Sequence, residues 1–390
     1  SGMWLYSLQK DTRAVPEELK TKIQGLVAGL DDDREKIRAI YDFLRENTRY
    51  VSIQLGIGGL KPFPVETVYK TGFGDCKALS SYMQALLSVA GISSDYFIVD
   101  TRDADLVRDF YSVGQMDHAM LCVPMGADSL WIECTNPRYP LGYRHDAVAG
   151  HQVVLVKEDG GELVRVRPYP DSLAIHAETV DVTLNPDGTA SCRGMRRLTL
   201  DNTEPYIDFR TLDSKAQFRA VMSGTSMNPS DFSITSVEDN FNDWVDMEQG
   251  EEYVPEVNIG YTYVVSDYGK VSGDRIFMDL NPFAKNLVTS RSARVNDFVI
   301  RSGGMLADTV RVNIPEEYVP EAMPASVRLE SRFGIFVSDV TYDEALSRIV
   351  VSQTIRLNAG RYSRDMYSDY RAFAREVSKA YGARVVLVRK

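Results

Sequence analysis

Cys76, His118 and Glu133 are the residues of this chain whose types and order could support chemistry together. A cysteine sulfur becomes an effective nucleophile when a base removes its proton, and a histidine base needs a further group that fixes its tautomer. A thiol, an imidazole and a carboxylate meet these needs only if the fold brings three distant stretches of chain together. The elements predicted around each residue decide whether that convergence is possible.

A predicted helix begins at Cys76, directly after a glycine-containing turn. Its apolar side chains recur at helical spacing and form one face: Leu79, Tyr82, Met83, Leu86, Leu87 and Ala90. Asp75 is placed to cap this helix and Gly91 to end it. The unpaired N–H groups and the positive dipole end of a helix favour a thiolate, and Lys77 adds positive charge, whereas the charge of Asp75 opposes it. The alternative is an inert cysteine that packs at a helix start.

The histidine and the carboxylate lie on two predicted strands, which flank a turn centred near Gly126 and Ala127 and form an antiparallel hairpin. In that register His118 lies opposite Thr135. Because side chains alternate between faces, His118 and Glu133 then project from the same face as diagonal neighbours. A slip of one residue would separate them.

Several separated motifs resemble those of the transglutaminase-like superfamily, and more narrowly of bacterial multidomain members. They are residues 49–52 (RYVS), 58–62 (GGLKP) and 74–77 (GDCK), followed by the histidine and carboxylate strands in the family's order. The resemblance covers roughly residues 16–140. It implies a papain-like core in which helix and strands carry a cysteine, histidine and aspartate.

By this resemblance Cys76 is the nucleophile and His118 the general base. The third position departs from the family, because Glu133 stands where an aspartate is usual. The extra methylene requires an adjusted backbone or rotamer before its carboxylate reaches the imidazole. Ala78 also stands where the cysteine motif often continues with an aspartate.

Other polar and aromatic residues have less specific surroundings. Gln54 is a candidate oxyanion donor, since a side-chain amide can stabilise charge on a carbonyl oxygen; the alternative is an exposed polar residue on an alternating strand. We expect Trp131 to fill the core. His145 and His151 flank a glycine-containing loop and are predicted to be surface residues, and His176 has no visible partner.

The order of predicted elements indicates an α+β fold, because helices precede antiparallel strands rather than alternating with them. Residues 1–170 form the transglutaminase-like core, with strands near 95–100, 117–123, 129–135, 151–156 and 163–167. A proline-rich stretch follows, and residues 171–390 form a β-rich, sandwich-like accessory domain with a C-terminal helix. Its predicted strands lie near 180–184, 189–200, 259–265, 275–280, 308–314, 326–338, 347–357 and 385–388, and its helices near 213–222 and 364–381.

Composition excludes several classes of protein. A net charge of −11 argues against a nucleic-acid binder, and no apolar run is long enough to span a membrane. Four cysteines, at positions 76, 122, 134 and 192, form no zinc pattern, so we expect no metal or organic cofactor. No signal peptide is visible, although the start at Ser1 leaves open that a signal or domain precedes it. The resemblance implies a periplasmic or cell-surface location.

These observations predict a thiol-dependent acyl-transfer enzyme, with hydrolysis of a peptide or amide as the favoured reaction and a peptide or protein as substrate. The alternative is a catalytically impaired binding or scaffolding module that retains the same core, motivated by Glu133 and by the large β-rich half. The oligomeric state is not predictable from the sequence.

Overall fold

The computed structural model describes all residues other than 1, 108, 111, 127, 224, 226, 248–250, 284–286, 288, 291–293 and 302. The chain forms two compact units. The first consists of Ser1–Tyr169 and Asn240–Pro255, and the second of Pro170–Asp239 and Glu256–Lys390. The segment 240–255, which the sequence analysis assigned to the β-rich half, therefore belongs to the first unit.

The helices and strands follow the order expected of an α+β protein. The α-helices of the described residues are α1 (Gly2–Gln9), α2 (Glu17–Leu26), α3 (Asp33–Asn47), α4 (Val65–Thr71), α5 (Cys76–Val89), α6 (Ser214–Met222) and α7 (Tyr367–Tyr381). The strands of the first unit are β1 (Arg49–Tyr50), β2 (Phe73–Gly74), β3 (Asp95–Val99), β4 (His118–Met125), β5 (Asp128–Ile132), β6 (Gln152–Lys157) and β7 (Gly160–Arg165). Those of the second unit are β8 (Ile175–Leu184), β9 (Ala190–Thr199), β10 (Pro229–Asp239), β11 (Glu256–Val265), β12 (Gly269–Ser272), β13 (Arg275–Asp279), β14 (Phe298–Ile300), β15 (Gly304–Asn313), β16 (Tyr318–Ala322), β17 (Val327–Ser331), β18 (Gly334–Asp343), β19 (Arg348–Leu357), β20 (Gly360–Tyr362) and β21 (Arg384–Arg389).

Helix α5 is the buried centre of the first unit, and both of its ends are fixed by specific caps. The Asp75 carboxylate accepts the Ala78 N–H at 3.0 Å, as the sequence predicted for an N-cap. At the other end Gly91 adopts a left-handed φ of +78°, which glycine tolerates without steric cost. The Ile92 N–H then donates back to the Leu87 carbonyl at 2.9 Å, which completes a Schellman cap.

One antiparallel sheet, ordered β5-β4-β3-β6-β7, provides the surface against which α5 packs. The Ser80 hydroxyl of α5 donates to the Ala119 carbonyl of β4 at 3.0 Å and joins the helix to the sheet. Apolar side chains, Trp131 among them, fill an adjoining core in which the Phe97 and Trp131 rings meet edge to face at 5.1 Å. The predicted core position of Trp131 is confirmed.

The second unit is rich in β-structure, and α7 lies near its C-terminus, as the sequence predicted. Its main sheet has eight strands in the order β10-β11-β9-β8-β15-β19-β18-β17, and a smaller sheet has the order β12-β13-β21-β16. The region predicted as a single strand at 326–338 is instead two strands, β17 and β18, paired as a tight hairpin. The apolar alternation continues through this turn without a strong turn signal before Gly334, so the sequence pattern reads as continuous.

A row of buried polar side chains crosses the centre of the eight-stranded sheet. Paired positions on five neighbouring strands place these residues side by side: Arg196, Glu178, Asp308, Gln353 and Ser338. The central pair of strands, β8 and β15, is parallel and matches Glu178 with Asp308. Two short stretches of similar sequence, 178–182 and 308–312, thus lie next to each other in register.

Candidate functional site

The site begins with Cys76, the first residue of α5. Its placement at the helix start agrees with the predicted element, and the residue is 5% exposed. The short strands β1 and β2 pair in parallel and hold the preceding turn, since the Val51 N–H donates to the Gly74 carbonyl at 2.9 Å.

The charge beside Cys76 differs from the sequence-based expectation. The Lys77 Nζ lies 2.6 Å from an Asp75 carboxylate oxygen, and both side chains are buried. Because the two charges neutralise each other, Lys77 does not add a net positive charge to the helix start. The Asp75 charge that was expected to oppose a thiolate is likewise balanced.

The hairpin brings His118 and Glu133 together. Leu121 pairs with Ile132 and Met125 with Asp128, which is the register that the sequence predicted; Ala127, in the predicted turn, lies outside the described residues. Strand β5 ends at Ile132, and Glu133 follows it directly. The His118 Nε2 lies 2.8 Å from the Glu133 Oε2.

The Glu133 carboxylate is 5% exposed and is surrounded by donors. Its Oε1 accepts the Thr135 N–H at 2.6 Å and the Thr135 hydroxyl at 2.5 Å. The Tyr41 hydroxyl donates to the Glu133 main-chain carbonyl at 3.2 Å and fixes the backbone at this point. The glutamate side chain therefore reaches the imidazole, although it is one methylene longer than the aspartate usual at this position. Hydrogen bonds compensate the burial of its charge.

The thiol, the imidazole and the carboxylate form one hydrogen-bonded series, because Cys76 is also a side-chain hydrogen-bond partner of His118. Because Nε2 faces Glu133, Nδ1 is the ring nitrogen available to hydrogen-bond the Cys76 sulfur. This order satisfies the requirement of nucleophilic catalysis for a nucleophile, a base and an orienting group.

The electrostatics of the pair favour a charged imidazole. Burial by itself would lower the pKa of His118, but hydrogen bonds to Cys76 and Glu133, together with the nearby carboxylate charge, raise it from 6.5 to about 10. Burial by itself would raise the pKa of Glu133, but the hydrogen bonds and charges of His118 and His145 hold it well below its ordinary value of 4.5. The attraction between the His118 imidazolium and the Glu133 carboxylate contributes to both shifts.

His145 is the residue of this site that sequence reasoning missed. It was predicted to be on the surface, but it is 5% exposed, and its Nε2 lies 3.3 Å from the Glu133 Oε2. Its ring stacks on Tyr139 with centroids 5.1 Å apart and planes 13° from parallel. It lies in an irregular segment without apolar periodicity, so no pattern in the sequence indicated its burial.

The surface prediction for His151 is also wrong. The residue is buried, and its Nδ1 lies 2.8 Å from the Asp100 carbonyl oxygen, well placed to donate to it. In the second unit His176 does have a partner, since its Nε2 lies 3.9 Å from the Glu178 carboxylate.

The structure does not bring Gln54 into the hydrogen-bonded series. It lies exposed in the irregular segment after β1, rather than on a longer alternating strand. Its oxyanion role stays a prediction.

The remaining cysteines differ in environment from Cys76. All four cysteines are free, and burial raises the pKa of Cys122 and of Cys192 to about 11 and that of Cys134 well above its ordinary range. Among the described residues, no three His, Cys, Asp or Glu side chains are grouped as metal ligands would be. Over the same residues, no helix has the length and apolar character needed to cross a membrane.

Comparisons with known proteins agree with this geometry. The sequence profile of the transglutaminase-like superfamily matches residues 20–135, and that of a domain of unknown function, DUF3858, matches residues 274–387. No curated protein sequence matches the chain.

Among solved structures, the fold is similar to the crystal structure of a "putative protease" from Parabacteroides distasonis ATCC 8503, with a TM-score of 0.56 and 15% identity. The match covers 98% of this chain but only 58% of that one, so this chain spans little more than half of its neighbour. An M1 zinc metallopeptidase from Deinococcus radiodurans is matched over 56% of this chain and 42% of that one, with 8% identity and a TM-score of 0.17, which is too low for any argument. Residues 20–135, which contain Cys76, His118 and Glu133 in this order, are thus similar in sequence to the transglutaminase-like superfamily.

Proposed function

We propose that the protein is a thiol-dependent acyl-transfer enzyme that hydrolyses peptide or amide bonds. The observation that carries the proposal is the hydrogen-bonded series of Cys76, His118 and Glu133 in one buried site. The solved structure of similar fold is described as that of a "putative protease", which supports a peptide substrate.

In the proposed reaction the Cys76 sulfur attacks the carbonyl carbon and forms the new C–S bond. The Cys76 thiol proton passes to His118, and the raised pKa of His118 favours holding that proton on the ring while the thiolate attacks. The ring gives that proton to the leaving nitrogen as the C–N bond breaks. Water then attacks the thioester and gives a proton to His118; the C–S bond breaks, the acid is released, and the Cys76 thiolate and protonated His118 are restored. An amine in place of water would give transfer instead of hydrolysis.

Charge that develops on the carbonyl oxygen needs donors close to the sulfur. The main-chain N–H groups of the first turn of α5 have no acceptor within the helix, and those of Cys76 and Lys77 lie beside the nucleophile. Gln54 is a further candidate donor if its segment closes over the substrate.

Trapping of an acyl-enzyme tests this function. We expect the parent protein to be acylated at Cys76 by a fluorogenic peptide amide or an activated ester, as read by intact-mass and peptide mass spectrometry. Cys76→Ala should abolish both the adduct and turnover while leaving the unfolding curve nearly unchanged. Cys122→Ala, which removes another buried cysteine of the same sheet and helix unit, is the matched control and should retain both.

Alkylation by iodoacetamide provides a second readout. At about pH 6 Cys76 should react faster in the parent than in His118→Ala, because the imidazolium stabilises the thiolate. Turnover by Cys76→Ala at the parent rate would contradict the proposal. No acylation with any amide or ester, combined with equal alkylation in parent and His118→Ala, would instead favour the binding module. The exported location expected from the resemblance also stays a proposal, which cell fractionation would test.

A further inference from the structure

We propose that His145 is a positioning residue of this site, which holds the Glu133 carboxylate ionised and oriented from the side not occupied by His118. The effect of His145 on catalysis rests on the proposed function. The contact of two imidazoles with one carboxylate oxygen does not depend on whether the protein has activity.

Geometry carries the inference. The Glu133 Oε2 lies 2.8 Å from the Nε2 of His118 and 3.3 Å from the Nε2 of His145. The other carboxylate oxygen is occupied by Thr135. The Nε2 of His145 is fully buried, has no well-aligned hydrogen bond, and has this carboxylate as its ion-pair partner. Burying an imidazole nitrogen beside a carboxylate is favourable only if the nitrogen donates or is charged.

Stacking fixes the ring in this position. The Tyr139 ring lies against the face of His145, and the Tyr139 carbonyl accepts the hydroxyl of Tyr41, which also donates to the Glu133 carbonyl. Tyr41 thus links the backbone at Tyr139, in the segment that leads to His145, with the backbone at Glu133. A rotation of Glu133 away from His118 would have to displace a stacked and buried ring.

Electrostatics agrees with a positioning role. Besides the two imidazoles, the titratable side chains that act on the carboxylate are Tyr41 and Cys134. Burial raises the pKa of both well above their ordinary values, so both stay neutral over the range in which an enzyme would be assayed. The charged partners of the carboxylate are then the two histidines, beside the neutral donors of Thr135, and His145 contributes to the lowered pKa of Glu133.

The test compares His145→Phe, which keeps a stacking ring but removes the nitrogens, with His145→Gln, which restores a side-chain donor. The matched control is His151→Phe, a histidine of similar burial whose Nδ1 faces a main-chain carbonyl instead of a carboxylate. The readouts are the pH at which the Glu133 carboxyl carbon titrates by NMR and the pH profile of kcat/KM.

In His145→Phe we expect the Glu133 titration and the acid limb of kcat/KM to move upward by about one pH unit, because a charge-stabilising partner is lost. We expect kcat to fall roughly tenfold, with KM unchanged, because an orienting group has been removed that does not contact substrate. His145→Gln should recover much of both effects, and His151→Phe should show neither.

An unchanged Glu133 titration in both His145 variants would overturn the inference. A loss of activity in His145→Phe that is matched by an equal loss in His151→Phe would also overturn it. If the parent itself fails to turn over any amide, the proposed function fails, but the carboxyl titration still decides whether His145 controls Glu133. Should His145→Phe not fold, His145→Ala takes its place with the same readouts, because it also removes both ring nitrogens.

Discussion

At the scale of single residues, the site is defined by how its charges are paired. Asp75 with Lys77, and Glu133 with the two histidines, are buried groups that each have a partner of opposite charge or a donor. Removing one member of such a pair is costly because the other remains buried without compensation. The charged side chains near the Cys76 sulfur are therefore paired with one another.

Replacement of Glu133 by Gln should separate charge from shape at this position. Glu133→Gln removes the carboxylate charge that helps raise the pKa of His118 to about 10, so that pKa should fall toward 6.5. The protonated ring is lost as pH rises through the folded pKa, so the alkaline limb of kcat/KM should move to lower pH. We expect kcat/KM to drop by a factor on the order of 10³ to 10⁴, as when a triad carboxylate becomes an amide.

The titration can be followed directly by NMR, because the chain contains four histidines and His118 can be assigned by its variant. Glu133→Asp serves as the control for length, since it keeps the charge but shortens the side chain by one methylene. An alkaline limb in Glu133→Gln that coincides with that of the parent would contradict the assigned cause of the shift. The ion pair of His118 and Glu133 also stabilises the folded state, and this contribution is complete between about pH 4.5 and 6.5. Above that range it is lost as pH rises to about 10 and His118 loses its proton. Below pH 4.5 it is lost progressively as Glu133 is protonated.

At the scale of elements, α5 shows how local sequence signals fix the position of Cys76. Its N-cap, its apolar face and its glycine stop were all predictable, because each depends on residues within a few positions of one another. The His118 register was also predictable, since the hairpin turn is short and determines the pairing.

Features that depend on side-chain conformation or on contacts between residues far apart in the sequence could not be predicted in this way. His145 is buried by Tyr139 and Glu133, and nothing in its neighbouring sequence specifies that environment. Lys77 looked like a free positive charge because its sequence does not show that the side chain turns back to Asp75. The β17–β18 turn was missed because its residues carry no strong turn signal.

The C-terminal cap of α5 should be sensitive to a single methyl group. Gly91→Ala places a Cβ at a φ of +78°, and we expect it to destabilise the protein by about 1–2 kcal/mol, the left-handed penalty of an L-residue. Gly25→Ala in α2 is the control, because no atom lies within 4 Å of the added Cβ and the helix should gain about 0.5–1 kcal/mol. Urea unfolding at constant pH measures both, and equal effects of the two changes would refute this account of the cap.

At the scale of the whole molecule, the two compact units are not consecutive in sequence. The segment 240–255 leaves the β-rich unit between β10 and β11 and completes the first unit. There Trp244 is buried, the Arg34 side chain donates to the Met247 carbonyl at 2.6 Å, and Glu252 pairs with Arg144. A boundary placed near residue 170 therefore omits part of the first unit.

A truncated chain tests this arrangement. A fragment of residues 1–170 should unfold at a lower temperature than one in which 1–169 is joined by a flexible linker to 240–255. The expected difference is about 2–4 °C for each kcal/mol of contacts restored. Differential scanning calorimetry gives the two midpoints, and addition of Trp244→Ala to the longer fragment should remove part of the gain. Identical midpoints for the two fragments would show that the segment contributes nothing to the first unit.

The row of buried polar side chains across the eight-stranded sheet restricts the register in which its strands can pair. A strand displaced by one residue would turn its member of the row to the opposite face and leave a neighbour's charge or amide without its partner. The same shift would also turn the buried apolar side chains of that strand to the opposite face. The hydrogen bonds of Arg196 to Glu178 and of Gln353 to Ser338 therefore specify the register of the strands that carry them.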